Sequence, residues 1–316
     1  MSTQVKQPQT LIEAIRYFAD DQICHDFVVE MRWPEGVRCV HCESANIGWI
    51  KSRSKYQCRA CRRQFSVRHN TIFEDSKISL DKWLCAIWMI ANAKNGVSSY
   101  EVARSLGVTQ KTGWFMLQRI RLAMQAQSLT KFSGEVEVDE TFIGGKARFM
   151  HKDRHDRKIK GRGGFSGKIA VLGLLERHGE SSQVRTELIQ NVRRRTLDPE
   201  VRKHVETGST VYTDALASYE SLQDGYIHKV IDHAECYAKG NVHTNGLENY
   251  WSLFKRCIKG TYVSVDPFHL FRYLDEQAYR FNHRKRTDGE RFRGTVKGIV
   301  ERRLTYKQLT GEAQAT

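Results

Sequence analysis

Four of the eight cysteines follow a spacing that constrains the fold more than any other feature of the chain. They form two C-x2-C pairs separated by 15 residues, 43–57. Thiolates three residues apart on a tight knuckle can both reach one tetrahedral zinc ion, and two such knuckles leave no coordination position open. Four buried cysteines without a metal are the alternative. The spacing predicts a small ribbon of strands around a structural Zn²⁺ ion, with the ligands Cys39, Cys42, Cys58 and Cys61.

The charge balance indicates the kind of partner. Lysine and arginine total 51 against 36 aspartate and glutamate, which gives a formal net charge of +15 and a pI near 9.5. Such an excess fits double-stranded DNA, because neutralising phosphates releases condensed counterions. A basic enzyme without a nucleic-acid partner would show the same excess. Membrane-surface binding would concentrate the charge on one amphipathic helix, whereas here it is spread along the chain.

The sequence predicts neither a membrane span nor a secretory signal. The longest apolar run, residues 83–91, is much shorter than the ~18 residues that suggest a span. The first residues lack the charged segment and apolar segment of a signal peptide. We therefore expect a soluble protein of the cytoplasm, associated with the nucleoid. Reduced cysteines in that compartment favour a zinc site over disulfides.

The N-terminal part divides into three expected segments. Apolar residues at helical spacing predict a helical segment within 1–35. The ribbon is expected at 36–76 and is rich in lysine and arginine, so it could also contact phosphates. A helical, helix-turn-helix-like DNA-binding domain is expected at 77–132.

The expected helix-turn-helix begins at Ser98. Ser98 and Glu101 have the spacing of a capping box, Gly107 allows the turn, and Thr109 can cap the second helix. The second helix, at about 111–124, would present polar residues to bases or phosphates. An ordinary helical hairpin without DNA contact explains the same pattern. The residues expected to contact DNA are Lys111, Gln118, Arg119 and Arg121.

After about residue 133, strands alternate with helices. This order is typical of the α/β class, with a mixed sheet flanked by helices. We expect one domain at 133–300 and a C-terminal tail at 301–316. A basic, glycine-rich stretch at 146–168 predicts a loop. The strands are expected at 135–143, 168–175, 184–189, 210–213 and 228–231, and the helices at about 198–206, 216–222, 246–258 and 267–283.

The first strand of this domain alternates apolar and acidic residues, so that Glu137 and Asp139 face the same side. Carboxylates on so apolar a strand are costly to bury without a cation, which favours a metal site. A half-exposed strand with its acidic face in water is the alternative. Asp214 ends another strand, where sheet enzymes collect catalytic groups, or it caps the next helix. Local chemistry alone does not decide whether Asp139 or Glu137 is the metal-binding carboxylate of this strand.

A third acidic candidate, Glu248, lies near the start of a helical pattern. Asn245 and Glu248 have the spacing of a capping box, which would make Glu248 a local stabiliser. Lys255 follows seven residues later, on the same helical face and about 10 Å along the axis. That arrangement would suit a carboxylate that holds a metal beside a lysine that contacts DNA. Spacing alone favours neither interpretation.

Taken in order, the motifs resemble those of bacterial insertion-sequence transposases. After the ribbon and the helical segment come Val-Asp-Glu-Thr-Phe-Ile-Gly-Gly-Lys, Val-Tyr-Thr-Asp and His-Thr-Asn-Gly-Leu-Glu-Asn-Tyr-Trp-Ser-Leu-Phe-Lys-Arg. The resemblance extends over nearly the whole chain, from about residue 18 to about residue 293. It implies a ribonuclease-H-like (retroviral-integrase-like) domain whose DDE triad is Asp139, Asp214 and Glu248. Lys255 matches the basic residue that follows the catalytic glutamate.

The resemblance further implies metal-assisted phosphoryl transfer with two Mg²⁺ or Mn²⁺ ions bridged by Asp139. The implied partners are double-stranded DNA, as transposon ends and as target, and further copies of the chain in a dimer or larger assembly on DNA. His243 and Asn245, just before the third carboxylate, are expected to help position DNA. The alternative is that His243 has a structural role, with its ring nitrogens hydrogen-bonded to other groups of the protein.

Two other functions stay open. A DNA-binding regulator without catalysis would be expected to lack a triad carboxylate, and all three are present. A ribonuclease-H-like nuclease, such as a junction resolvase, would cleave DNA without joining it. The large N-terminal DNA-binding half favours a transposase, because recombination must find particular end sequences.

Overall fold

The computed structural model describes residues 7–126, 130–145, 152, 167–231 and 243–311. They form two compact units: the residues up to Gln125 together with those from Lys285 onward, and the residues from Ala126 to Arg284. Most of the stretch 146–168, which the sequence assigns to a loop, lies outside the described residues. No helix within the described ranges is both long enough and apolar enough to cross a membrane.

The first unit begins with two helices, whereas the sequence shows a single apolar pattern over the same residues. The pattern is interrupted at Asp20, whose side chain accepts hydrogen bonds from the backbone N–H groups of Gln22 and Ile23 and so caps the second helix. Thr10 and Glu13 form a reciprocal capping box at the first helix. The helices are α1 (Leu11–Tyr17) and α2 (Asp21–Arg32).

A three-stranded antiparallel sheet follows in the first unit. Tyr56 on its central strand pairs with Trp49 on one side and with Phe65 on the other. Tyr56 and Phe65 are buried in a cluster with Cys39 and Cys58. A core of this size buries little apolar surface, so a bound metal is expected to supply much of its stability. The strands, in spatial order, are β1 (Ile47–Ile50), β2 (Lys55–Cys58) and β3 (Gln64–Phe65).

The predicted helix-turn-helix is present in the first unit. Ser98 and Thr109 each accept a hydrogen bond from the backbone N–H three residues further on. Gly107 ends the first of the two helices with a φ of +61°, a conformation that favours glycine. The helices cross so closely that a Cβ at Gly113 would lie 2.8 Å from the Ser99 carbonyl oxygen. The helices are α3 (Leu80–Asn92), α4 (Ser99–Leu106) and α5 (Gln110–Met124).

The second unit contains the mixed five-stranded sheet that the sequence predicts. The order is β6-β5-β4-β7-β8; β4 to β6 are antiparallel, and β7 and β8 are added in parallel. The first strand has its predicted bounds, and the other four begin and end within one residue of theirs. The elements are β4 (Glu135–Ile143), β5 (Ile169–Glu176), β6 (Gln183–Ile189), α6 (Arg194–His204), β7 (Thr210–Asp214), β8 (Ile227–Ile231), α7 (Asn245–Cys257) and α8 (Leu270–Asn282).

Helices cover both faces of this sheet. Val138 packs in one buried cluster with Leu197 of α6, whereas Leu175 on the opposite face packs in another cluster with Leu247 of α7. Side chains alternate between the faces of a strand. Asp139 therefore lies on the face of the sheet that α7 covers.

The residues from Lys285 onward pack in the first unit. The ring of Phe292 stacks on Phe27 with 5.6 Å between centroids and lies 5.0 Å from the ring of Trp88. These contacts explain why the unit boundary comes after Arg284, whereas a domain that extends to residue 300 was expected from the sequence. The helices of this segment are α9 (Asp288–Lys297) and α10 (Tyr306–Thr310), the latter within the expected tail of 301–316.

Candidate active site

The cysteines of the two C-x2-C pairs converge in the first unit. Their four Sγ atoms all lie within 4.8 Å of one another, and the Cys39–Cys61 and Cys42–Cys58 pairs are each 3.6 Å apart. A tetrahedron with metal–sulfur bonds of ~2.3 Å has edges of ~3.8 Å, so the spacing fits one zinc ion. The backbone N–H of His41 donates to Cys39 Sγ, and that of Cys61 donates to Cys58 Sγ. The arrangement supports structural zinc, as predicted.

In the second unit, Asp214 is the last residue of β7, and Asp139 lies in the middle of the adjacent parallel strand β4. Glu137 on β4 is opposite Tyr212 on β7, so two residues further along each strand Asp139 comes level with Asp214. Burial raises the pKa of Asp139 to about 6, and the charges of Asp214 and Glu248 add to the rise. The three carboxylates therefore share one electrostatic environment. Among the described residues, they do not form a group as tight as the four thiols.

A cleft of about 540 Å³ opens beside Asp139, between β4 and α7. Asp139 is half-buried at its wall, whereas Glu248 and Lys255 are exposed along α7. The same cleft thus presents carboxylates, which suit a divalent cation, and amines, which suit phosphates. Its lining includes Asp139, Glu140, Glu248, Ser252, Lys255 and Lys259.

Glu137, which the sequence could not separate from Asp139, has a different environment. Its carboxylate is buried, with Arg177 Nε donating to Oε1 at 2.8 Å. The backbone N–H of Leu247 donates to Oε2 at 2.9 Å, so Glu137 also caps the N-terminus of α7. A Cβ at Gly246 would lie 2.9 Å from the same oxygen, which explains the glycine there. Glu137 is therefore occupied in holding α7 against the sheet.

The capping-box interpretation of Glu248 is wrong. The N-cap of α7 is Thr244, so Asn245 is already helical and Glu248 is the fourth residue of the helix, one beyond the box position. Thr244 itself makes no side-chain capping bond. Glu248 instead lines the cleft together with Lys255, on the helical face that the sequence predicts.

The capping interpretation of Asp214 is also wrong. Its Oδ1 accepts a hydrogen bond from the Leu216 N–H at 3.2 Å and shapes the turn after β7. The 3₁₀ helix that follows, Ala217–Asp224, has Leu216 as its N-cap and no side-chain capping bond. Asp214 therefore lies at the end of β7, where its charge acts on Asp139, and it does not cap a helix.

Sequence reasoning gave no role to Glu140, a fourth carboxylate beside this group. Burial raises its pKa to about 7, and the charges of Asp214 and Asp139 add to the rise. Tyr219, which is almost fully buried, donates its hydroxyl to Glu140 Oε2 at 2.7 Å. The adjacent Asp-Glu pair on an apolar strand was the available signal, but its partner tyrosine lies 79 residues away in sequence.

His243 and Asn245, which we expected to position DNA, lie at the start of α7. Arg177 Nη2 donates to His243 Nδ1 at 2.9 Å. Because a guanidinium can only donate, a neutral His243 carries its proton on Nε2. His243 is thus tied to the Arg177–Glu137 pair, as its structural alternative predicts, and its ring is still partly exposed. Asn245 is exposed.

The Arg177–Glu137 pair gives a test of how α7 is held. We expect Arg177→Met to lower the free energy of unfolding by about 3 kcal/mol, because it leaves the Glu137 carboxylate buried without its cation. Urea denaturation measures the change. Lys203→Met removes an exposed pair with Glu200 on α6, and it should cost less than about 1 kcal/mol. Equal losses for the two variants would contradict this account of Glu137.

The predicted DNA contacts of α5 need correction. Lys111 is exposed at the start of the helix, but Gln118, Arg119 and Arg121 are buried. Arg119 donates to the carbonyl oxygens of Ile72 and Glu74, both at 2.7 Å. Most of the second half of α5 is buried within the first unit, so these three side chains are not available to DNA. Of the four residues expected to contact DNA, only Lys111 is exposed enough to do so.

Two family models and two proteins of known transposable elements or transposase-like type are similar to this chain. Residues 131–282 match the family model described as the ISXO2-like transposase domain, and residues 19–64 match the transposase zinc-ribbon domain. An uncharacterized protein in transposable element ISH50 of Halobacterium salinarum is 26% identical over 254 residues, which cover 77% of this chain and 84% of the relative. An uncharacterized transposase-like protein of Haemophilus influenzae is 33% identical over 102 residues, which cover 32% of this chain and 82% of the relative.

Proposed function

The chain belongs to the ISXO2-like transposases of insertion sequences, and we propose that it binds the ends of its element and cuts and joins DNA there. In this proposal Asp139, Asp214 and Glu248 are the catalytic carboxylates. The observation that carries it is the shared environment of the three, beside a cleft that also presents Lys255. The structural role of Glu137 supports the choice of Asp139 as the first carboxylate.

The residues present fit a pair of Mg²⁺ or Mn²⁺ ions. Burial above all, and then the charges of Asp214 and Glu248, raise the pKa of Asp139, and divalent cations beside its carboxylate would favour the ionised form. Mg²⁺ is held by few carboxylates together with water and phosphate oxygens, so Asp139, Asp214 and Glu248 are a sufficient protein contribution. When bound, the ions would supply an activated water or 3′-hydroxyl and stabilise the leaving oxygen.

The chain itself supplies DNA binding and orientation. Lys255 follows Glu248 on the exposed face of α7, and Lys259 is exposed just beyond the end of the helix; both line the cleft and can pair with phosphates next to the scissile bond. The ribbon adds a second basic surface, and Lys111 a third point of contact. His243 and Asn245 could meet DNA at the start of α7. The exposed basic residues of the ribbon include Lys51, Arg53, Lys55, Arg59, Arg62 and Arg63.

The contact of Lys255 with phosphate can be measured directly. We expect Lys255→Ala to weaken binding to duplex DNA uniformly across sequences and to reduce the slope of log K against log salt by about 1. Fluorescence anisotropy at several KCl concentrations measures both quantities. Lys203→Ala, an exposed lysine of α6 in the same unit, should leave the slope unchanged. An unchanged slope for Lys255→Ala would remove Lys255 from the DNA interface.

One assay separates this function from the two alternatives. The chain is incubated with labelled element-end DNA, target plasmid and Mg²⁺, and the products are resolved by size. Joined products support a transposase, and cleavage without joining indicates a nuclease. Binding without cleavage would indicate a regulator and would contradict the proposal. Because two ends must be brought together, we also propose that the active form is a dimer or larger assembly on DNA.

A further inference from the structure

We propose that Trp251 is a positioning residue that orients the Asp139 carboxylate and fixes its spacing from Glu248; this inference rests on the proposed function. The indole of Trp251 is 4% exposed and packs in the core beneath α7. Its Nε1–H donates to Asp139 Oδ2 at 3.0 Å. The indole thus has two tasks: it packs with the apolar residues of its helix, and it donates a hydrogen bond to Asp139.

The partner strand makes room for the indole. Asp139 is directly opposite Gly173 of β5 in the antiparallel register, so a side chain at position 173 would point to the same face as Asp139. A Cβ there would lie 2.5 Å from Trp251 Cζ2 and 3.0 Å from Leu247 Cδ2. Gly173 lies in the middle of a mostly apolar strand, as glycine does where another group approaches closely. The glycine and the indole therefore form one arrangement around Asp139.

The hydrogen bond between Trp251 and Asp139 joins α7 to β4, the two elements that carry the third and the first carboxylate of the proposed triad. Asp139 is on β4, and Glu248 precedes Trp251 by three residues, almost one turn, on α7. Fixing Trp251 against Asp139 therefore fixes the distance between the strand and the helix at the place where both carboxylates face the cleft. The indole also engages one oxygen of Asp139, which restricts rotation of the carboxylate.

A matched control exists in the first unit. Trp83 is also buried, and its Nε1–H donates to Ser76 Oγ at 3.1 Å. Trp83→Phe and Trp251→Phe each keep an aromatic ring in the core and remove one indole hydrogen bond. Only the second variant removes a hydrogen bond to a proposed metal ligand.

The test is Mn²⁺ binding to the zinc-loaded full chain by isothermal titration calorimetry. We expect Trp251→Phe to weaken Mn²⁺ binding by roughly 10-fold or more, the usual effect of removing a partner of a metal ligand. Trp83→Phe should bind as the wild type does, and Trp251→Phe should add little to the loss in Asp139→Asn. Wild-type affinity in Trp251→Phe, with loss in Asp139→Asn, would overturn the inference alone. Wild-type affinity in Asp139→Asn would overturn the proposed function as well.

A second measurement covers the case in which Trp251→Phe does not fold. The indole N–H resonances are recorded by ¹H–¹⁵N correlation spectroscopy in the wild type and in Asp139→Ala. A hydrogen bond to a carboxylate is charge-assisted, so the Trp251 resonance should move upfield in Asp139→Ala while the Trp83 resonance stays in place. A Trp251 resonance that does not move would overturn the inference.

Discussion

Asp139→Asn, Asp214→Asn and Glu248→Gln are each expected to lower the rate of DNA cleavage and of strand transfer by at least ~100- to 1,000-fold, the scale on which a single preorganised electrostatic group acts. Each substitution keeps the size of the side chain and removes one negative charge from the proposed metal site, where the charges of Asp214 and Glu248 already act on Asp139. DNA affinity should fall little, because the cationic side chains remain. Cleavage of labelled end DNA under single-turnover conditions measures the rate.

Glu135→Gln is the matched control for these three variants. Glu135 is exposed, lies on the same strand as Asp139, and points to the same face four residues earlier. We expect Glu135→Gln to cleave DNA at a rate within a few-fold of that of the wild type. The proposed mechanism would be wrong if Glu135→Gln lost as much activity as Asp139→Asn, or if all three triad variants kept their rate while folded.

The second large effect is expected at the zinc site. Cys58→Ser should remove the ion and unfold the ribbon, because structural zinc contributes apparent free energies of about 10–16 kcal/mol in zinc-finger peptides. The sheet β1–β3 has a core of only a few side chains to replace it. Elemental analysis should give one zinc per chain for the wild type and none for the variant, and limited proteolysis should cut the variant within 36–76.

Cys85→Ser is the control for that experiment. Cys85 is a half-buried thiol on α3 and does not belong to the four-sulfur group. Zinc content and ribbon protection should be those of the wild type. One zinc per chain in Cys58→Ser, with an intact ribbon, would contradict the four-thiolate site.

The sheet was predictable from the sequence because its strands have clear local signals. The alternation of apolar and acidic residues gave the bounds of Glu135–Ile143, and the other strands deviate by one residue at most. The zinc ligands were predictable for a similar reason, since i and i+3 spacing on a knuckle is a local property. The helix bounds were less accurate: α6 begins at Arg194, ahead of the predicted residue 198.

The partners of the acidic residues were not predictable, because they come from distant parts of the chain. The sequence left Glu137 and Asp139 equal. They differ in their hydrogen-bond donors: Arg177 and the backbone at the start of α7 donate to Glu137, whereas the indole of Trp251 donates to Asp139. Those contacts join residues 40 to 112 positions apart. No local pattern encodes them.

At α5 the residue types alone were misleading. Its polar residues were expected to reach DNA, but Gln118, Arg119 and Arg121 are buried, and Arg119 is an internal hydrogen-bond donor to the carbonyl groups of Ile72 and Glu74. The same limitation explains the boundary after Arg284. The burial of Phe292 against Phe27 and Trp88 depends on tertiary contacts that the sequence of α9 does not reveal.

The most direct test of the central claim is to map where a divalent ion sits on the chain. Fe²⁺ can replace Mg²⁺ at oxygen sites, and with ascorbate and peroxide it generates radicals that cut the polypeptide next to the bound ion. If Asp139, Asp214 and Glu248 hold the ion together, cuts are expected within a few residues of each of them in the same sample, and all of these cuts should be lost in Asp139→Asn. The absence of cuts near these three residues, or equally strong cuts in Asp139→Asn, would contradict it.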